Sequence, residues 1–297
     1  METAKAHATV SRNMKIFVPI FGGLGNQMFQ AAHAMQLERL SGFSVCLLDF
    51  TKQVGQTRRS WGLSSFGIEP TSRKIIDKLS VNAFLFQARV ARKLGSVRRF
   101  GVHDEVDSVK LRPALSETRV CVGYWQGLRF FKLVEKDVNV RFSSLVSVTQ
   151  ADSSQPNLKG QSVAVHIRRG DYVSSAIGRS AHLVCDEAWY LKAMQELRSR
   201  LDAPTFYLFS DDDEWVRQTY GAQKDVVICE SAQETDPARL LQAIASAEHF
   251  IISNSTFSWW ASYLGHKKTS LTVAPKYWHP GVLTQTTSLM RNDWILV

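Results

Sequence analysis

The chain has 297 residues, 44% hydrophobic and 21% charged, with 36 Lys/Arg against 27 Asp/Glu. This fits one large or two medium globular domains and excludes a disordered, collagen-like or disulfide-dense chain. No apolar run reaches the length of a membrane-spanning helix. The cysteines, Cys46, Cys121, Cys185 and Cys229, are far apart without CxxC spacing; Cys46, Cys121 and Cys229 sit in apolar runs, and the default is buried thiols of a reducing compartment.

In chain order, residues 1–14 are polar and read as a flexible leader. Lys15 to Ile20 predicts a strand. The loop Gly22-Gly23-Leu24-Gly25-Asn26-Gln27 follows, then a helix through about Arg39 and a strand from Ser44 to Asp49, a β-α-β opening. Residues 71–95 look helical, and Arg119 to Trp125 predicts another strand. The polar segment Ala151 to Gly160, with Pro156 inside it, is the linker candidate, so the expected domains are 15–155 and 156–297. Val163 to Ile167 predicts a buried strand. A helix from about Asp186 to Leu201, strands Thr205–Phe209 and Asp225–Cys229, a helix over 236–247, a strand over 249–253, a helix over 257–264 and a strand over 270–274 complete an alternating pattern. The expected class is α/β, two Rossmann-like halves facing a cleft.

The most informative stretch is Val163-Ala164-Val165-His166-Ile167-Arg168-Arg169-Gly170-Asp171-Tyr172. Ligands of open α/β sheets bind outside the carboxyl ends of strands. Two guanidiniums emerging from an apolar strand are costly unless an anion meets them, and their planar fork suits phosphate oxygens. The rival reading is a pair of surface arginines salt-bridged to an aspartate. The loop Gly22–Gln27 opens a helix, where backbone N–H groups favour anions. It also resembles a dinucleotide fingerprint, with Asp49 ending the next strand, but Met28 stands where the third glycine belongs. An NAD(P)-dependent oxidoreductase therefore stays as an alternative, as does a non-catalytic glycan or nucleic-acid binder using the basic N-terminal half.

Asp211-Asp212-Asp213 ends a strand and reads as helix N-capping, with no metal expected. At Thr235-Asp236-Pro237, Asp236 is either an N-cap or a carboxylate acceptor for a base edge. Ser253-Asn254-Ser255-Thr256 offers hydroxyls and amides to phosphate oxygens at a strand end. Phe257, Trp259 and Trp260 read as core, and Met28 and Phe29 as helix-packing residues.

Three of these segments carry a resemblance. His166-x-Arg168-Arg169-Gly170-Asp171-Tyr172 resembles the signature of the α-1,2-fucosyltransferases and, more loosely, of the α-1,6- and protein O-fucosyltransferases. Gly22 to Gln30 resembles the family's N-terminal loop, and Asn254 to Trp260 its C-terminal motif. The order agrees, and the resemblance spans about residues 15 to 280. It implies a GT-B-type fold, with an acceptor-side N-terminal domain and a GDP-fucose-binding C-terminal domain. The implied reaction is inverting transfer of L-fucose from GDP-β-L-fucose to the 2-hydroxyl of a terminal galactose, as in lactose, N-acetyllactosamine or an O-antigen repeat, with no cofactor or metal.

The resemblance also assigns roles. Arg168 would stabilise the leaving diphosphate, with Arg169 supporting it or holding the loop through Asp171. His166 would approach the base or ribose. Gly25, Asn26 and Gln27 would line the region near the pyrophosphate and sugar, Asp236 would accept from guanine, and Asn254, Ser255 and Thr256 would meet the phosphates. Asp211 would make a further nucleotide contact. Asp171 is the candidate base for the acceptor proton and His182 the second. Golgi relatives carry an N-terminal anchor. Its absence here, with residues 1–13 lacking the apolar core of a signal peptide, implies a cytoplasmic bacterial enzyme. Residues 1–150 hold 22 Lys/Arg and 11 Asp/Glu. Their densest stretch, Arg89 to Arg99, reads as a solvated helix face, with peripheral inner-membrane contact as the functional alternative and no nucleic-acid partner.

Overall fold

The computed structural model describes residues 15–52, 59–71, 102–104 (backbone), 120–143, 158, 160–170, 185–231 and 234–297. The leader, the expected helix over 71–95, the basic stretch Arg89–Arg99 and most of the linker candidate 151–160 lie outside the described residues. The chain forms two compact units, residues 1–138 and 139–297.

In the first unit, β1 (Lys15–Ile20) runs into α1 (Leu24–Ser41) and β2 (Ser44–Asp49), the β-α-β opening expected. With β3 (Val102–Asp104) and β4 (Val120–Val122) they make a parallel sheet of order β2-β1-β4-β3. Alternate residues Ile16, Val18 and Ile20 are fully buried, and Met28 and Phe29 of α1 are buried as helix-packing residues. A helix α2 (Glu135–Ser143), absent from the expected elements, carries the division between the units.

The second unit contains β5 (Ser162–Ile167), α3 (Glu187–Arg198), β6 (Thr205–Ser210), α4 (Asp213–Tyr220), β7 (Val226–Cys229), α5 (Pro237–Ala245), β8 (His249–Ile252), α6 (Thr256–Gly265) and β9 (Thr272–Ala274). A hairpin, β10 (Tyr277–His279) and β11 (Val282–Leu283), and a last strand, β12 (Trp294–Leu296), follow. Six strands pair in parallel in the order β7-β6-β5-β8-β9-β12. This is the doubly wound order, in which the winding direction reverses between β5 and β8.

All six residues of β5 are buried, as expected of a central parallel strand covered on both faces. Val163, Val165 and Ile167 pack with Phe206 and Leu208 against Tyr190, Met194 and Leu197 of α3 and Val216 and Tyr220 of α4. The period-two alternation sends His166 to the opposite face. Trp259 and Trp260 are fully buried. The Trp259 indole donates to the Leu289 carbonyl at 2.8 Å, and Trp260 meets Phe142 edge-on at 5.2 Å. The α/β class with parallel sheets is as the sequence indicates. The hairpin and β12 escaped it because runs of two or three residues carry no readable period.

Candidate functional site

The reversal between β5 and β8 is where an open parallel sheet leaves a crevice at its carboxyl edge. Arg168 leaves β5 there, and its Nη1 meets Asp211 Oδ2 at 2.5 Å. The other oxygen of Asp211 accepts the backbone N–H of Arg169 at 2.9 Å and of Gly170 at 3.0 Å. One carboxylate at the end of β6 thus grips three consecutive residues at the end of β5. A Cβ on Gly170 would stand 2.7 Å from Asp211 Oδ2, so a side chain there would break the grip. Burial alone would raise the Asp211 carboxyl. Arg168, the two amides and His166 outweigh it and hold the group below the usual carboxylate range.

The adjacent arginines have different partners. Arg169 Nε donates to Asp212 Oδ2 at 3.0 Å, and its guanidinium carbon lies 3.8 Å from the centre of the Trp215 ring. Asp212 also caps α4 by accepting from Trp215 N at 3.2 Å. Of the three aspartates, the middle one is the N-cap and the first is the loop clamp. The run after a strand signals capping but not which residue does it. Tyr190 braces the same turn: its hydroxyl donates to the His166 carbonyl and accepts from Arg168 N–H, both at 3.4 Å.

At the end of β8, Ser253 Oγ lies 3.5 Å from His166 Nδ1 and 3.3 Å from Ser258 Oγ. The His166 ring stands 5.4 Å from that of Phe257. Phe257, expected in the core, is instead half-buried against this histidine. Burial pushes the His166 imidazole down to about 4; Asp211 opposes the shift and Arg168 adds to it. The ring is therefore neutral at pH 7.

Asn254 is 3% exposed. Its amide donates to the Trp278 carbonyl at 3.0 Å, fixing the hairpin, and its oxygen faces the Cys185 thiol at 3.9 Å. The side chain is a brace. Ser255 and Thr256 begin α6. Helices α3, α4 and α5 are capped by the carboxylates of Asp186, Asp212 and Asp236, whereas the Ser255 side chain makes no cap bond on α6. A helix start without an anionic cap, after the strand next to β5, favours an external anion. Asp236 caps α5 through Oδ1, accepting Ala238 N–H at 2.9 Å, with Pro237 at the first helical position. A carboxylate has acceptor capacity for a cap and a further donor together.

Of the N-terminal loop, Gly25 is buried in the first turn of α1. Gln27 is 1% exposed; its amide donates to Gly22 O and Ser60 O, each at 2.9 Å, and its oxygen accepts Gly62 N–H at 2.9 Å. It too is a brace. Asn26 accepts from Gln126 Nε2 at 3.0 Å. Gln27 heads a stripe that sequence reasoning missed: Gln30, His33 and Gln36 are all fully buried, and each holds a loop backbone. The signal was a polar residue every third position along a helix, which pattern reading takes for a solvated face.

Asp171 and His182 lie outside the described residues. Among the described residues no group of three His, Cys, Asp or Glu is placed to hold a metal ion, all four cysteines are buried thiols outside any disulfide, and no helix is long and apolar enough to cross a membrane.

The family model for glycosyl transferase family 11 matches residues 1–297. The chain belongs to that family. It is 30% identical over 270 residues to an α-1,2-colitosyltransferase of Escherichia coli, covering 86% of this chain and 90% of that protein. Over 308 residues it is 25% identical to the O-antigen biosynthesis glycosyltransferase WbnK of Escherichia coli, covering 92% and 97%. A galactoside α-(1,2)-fucosyltransferase of Saimiri sciureus is 37% identical over 103 residues, 34% of this chain and 28% of that protein. Among solved structures, the fucosyltransferase NodZ from Bradyrhizobium aligns with a TM-score of 0.45 at 13% identity, covering 84% of this chain and 93% of that one. A family 11 glycosyltransferase is neither an oxidoreductase nor a non-catalytic binder.

Proposed function

We propose that this family 11 enzyme moves L-fucose from GDP-β-L-fucose to the 2-hydroxyl of a terminal galactose, inverting the anomeric centre to form Fuc-α1,2-Gal. The observation that carries the reading is Arg168, held by Asp211 at the reversal of a doubly wound sheet, with α6 starting after the neighbouring strand β8.

As the C1–O bond to the diphosphate lengthens, the sugar gains oxocarbenium character and negative charge grows on GDP. Arg168 and the first-turn amides of α6 meet that charge, preorganised by Asp211, so little reorganisation is needed as it develops. Asp211 holds Arg168 as a positioning residue, while Arg169 is tied into α4 through Asp212 and Trp215. Neutral His166 adds no charge and packs beside the ribose or base, and Asp236 accepts from the N–H edge of guanine. Ser255 and Thr256 meet the phosphates. Gln27 and Asn254 act on the donor through the loops they brace. The acceptor hydroxyl attacks from the opposite face, aligned by binding, and Asp171, or failing that His182, takes its proton. A dissociative transition state asks little of that base.

The long match to a colitosyltransferase favours one second reading, in which the donor carries colitose. The test is GDP release from GDP-fucose and from the colitosyl nucleotide, with and without lactose, in excess EDTA, with products weighed by mass spectrometry. Lactose-dependent release with a fucosyl mass gain is expected. Turnover of the colitosyl donor alone would replace the fucosyl reading, and release abolished by EDTA would contradict the account in which Arg168 and helix amides meet the charge.

A further inference from the structure

Asp211 holds Arg168 at its guanidinium, but the direction in which that side chain leaves β5 is set at the backbone, and other groups sit there. The Tyr190 hydroxyl, from α3, accepts the Arg168 N–H and donates to the His166 carbonyl, both at 3.4 Å. From the adjacent strand, the Ser253 hydroxyl at the end of β8 faces the same phenol. It lies 3.5 Å from His166 Nδ1 and 3.3 Å from Ser258 Oγ in the first turn of α6. We propose that Tyr190 and Ser253, with His166 between them, form a buried hydroxyl bridge across the β5–β8 reversal, and that these two positioning residues fix how Arg168 stands relative to the start of α6. That this geometry serves a diphosphate rests on the donor reading above.

The hydroxyls serve neither the ligand directly nor packing. Tyr190 is 1% exposed, and Ser253 and Ser258 are fully buried, so none of the three reaches a phosphate. Ser253 belongs to a segment suited by sequence to phosphate oxygens, yet its side chain turns inward. Tyr190 sits in the apolar cluster with Val163, Val165, Met194 and Leu197. A phenylalanine there would fill the same space without burying a hydroxyl, which costs free energy unless it is hydrogen-bonded. Separations of 3.3 to 3.5 Å are at the long end of hydrogen bonding, so each contact adds little stability. What they add is direction: Arg168 is the first residue past β5, and a small rotation at its backbone would swing the guanidinium away from the crevice.

The same helix end reaches the residue after Ser253. Cys185, just before the Asp186 cap of α3, places its thiol 3.9 Å from Asn254 Oδ1, and Asn254 holds the Trp278 carbonyl. The start of α3 is thus keyed to both strand ends, and Ser258 carries the link into α6 by donating to the Ser255 carbonyl at 3.2 Å. Donors fixed in advance need no reorganisation when charge arrives. A diphosphate can span donors on both strand ends, whereas a monophosphate needs only one. The signature of the bridge is therefore a loss that falls on GDP and spares GMP.

The experiment is calorimetric titration of GDP and GMP into the full chain, for the wild type, Tyr190→Phe, Ser253→Ala, the double variant and Tyr220→Phe, with a urea midpoint for each. Tyr220 is the control: it is fully buried in the same cluster, edge-on to Trp215 at 5.6 Å, and among the described residues its hydroxyl has no hydrogen-bond partner. Tyr190→Phe and Ser253→Ala should each weaken GDP about fivefold, the equivalent of one neutral hydrogen bond, with GMP little changed. The double variant should lose no more than the larger single loss, because either substitution breaks the bridge. Tyr220→Phe should bind both nucleotides as the wild type does. Unchanged GDP affinity, GDP and GMP weakened alike in step with the urea midpoint, additive losses in the double variant, or an equal loss in Tyr220→Phe would each overturn the bridge. If Tyr190→Phe does not fold, Ser253→Ala decides by the same ratio. A wild type without preference for GDP over GMP would strike the diphosphate reading, and the bridge would fall with it.

Discussion

The carboxyl edges of the two sheets differ in chemistry. At β5 and β8 the carboxyl edge carries Arg168, an aspartate that grips the loop and a helix start with no side-chain cap bond. At β1 and β4 it carries a carboxamide pair and an exposed tyrosine over a buried polar stripe. In the second unit the strand order opens the carboxyl edge between β5 and β8, and the residues at the strand ends set the charge that edge presents. In the second unit the strand-end loop is held by charge, through Asp211. In the first it is held by neutral amides reaching up from a helix.

The sharpest way to break this comparison is at Arg168. Arg168→Ala should lower turnover about a hundred- to a thousandfold, the usual loss for one donor at a developing anion, with the circular dichroism spectrum unchanged. Asp211→Asn should cost less, about tenfold by the loss of preorganisation, because Arg168 stays but is no longer held. Arg169→Ala should fall mainly on stability, by about 1 kcal/mol from the lost stacking on Trp215, with the smallest turnover loss of the three. Equal losses for Arg168→Ala and Arg169→Ala would contradict the division of labour between them.

In the first unit the expected effect is structural. Gln27→Ala removes three hydrogen bonds from a buried site and should lower unfolding free energy by about 2 kcal/mol, with GDP affinity falling less than in Arg168→Ala. A urea titration monitored by tryptophan fluorescence reads the first, and calorimetry the second.

A further effect is in pH. His166 titrates at about 4 in the fold against 6.5 in the unfolded chain. Below pH 6.5 the unfolded chain takes up a proton that the fold refuses, so stability falls as pH drops from 6.5 toward about 4, by up to an order of 3 kcal/mol. Asp211, also held low, adds a loss in the same direction at lower pH. His166→Gln should have the flatter urea midpoint across that window. Superimposable profiles would show that the imidazole is not held neutral by the fold.

Much of this was legible in the sequence. The apolar run Val163–Ile167 gave a central strand and placed Arg168 at its end, because a strand buried on both faces is written as continuous apolar residues. Asp236 with Pro237 announced a helix start in the same way. Partners distant in sequence were not legible. Nothing local tells that Asp211 grips Arg169 and Gly170, that Arg169 belongs to Trp215, or that Asn254 holds Trp278, since these pairings depend on which strand ends become neighbours. Gln27 and Asn254 stood out as polar residues in motifs, and the structure uses both inward. The stripe of Gln30, His33 and Gln36 was invisible for the opposite reason: polar residues on a helix are ordinarily solvent-facing, and only the loops packed over them show otherwise.

The central claim, that Arg168 at the β5–β8 reversal receives the diphosphate, is tested most directly by calorimetric titration of GDP and GMP into the wild type and Arg168→Ala. Loss of a charge-assisted contact to the second phosphate should make the wild type prefer GDP over GMP by about tenfold or more, and Arg168→Ala should bring the two affinities nearly together. A wild-type preference that survives the substitution would place the diphosphate elsewhere and contradict the account.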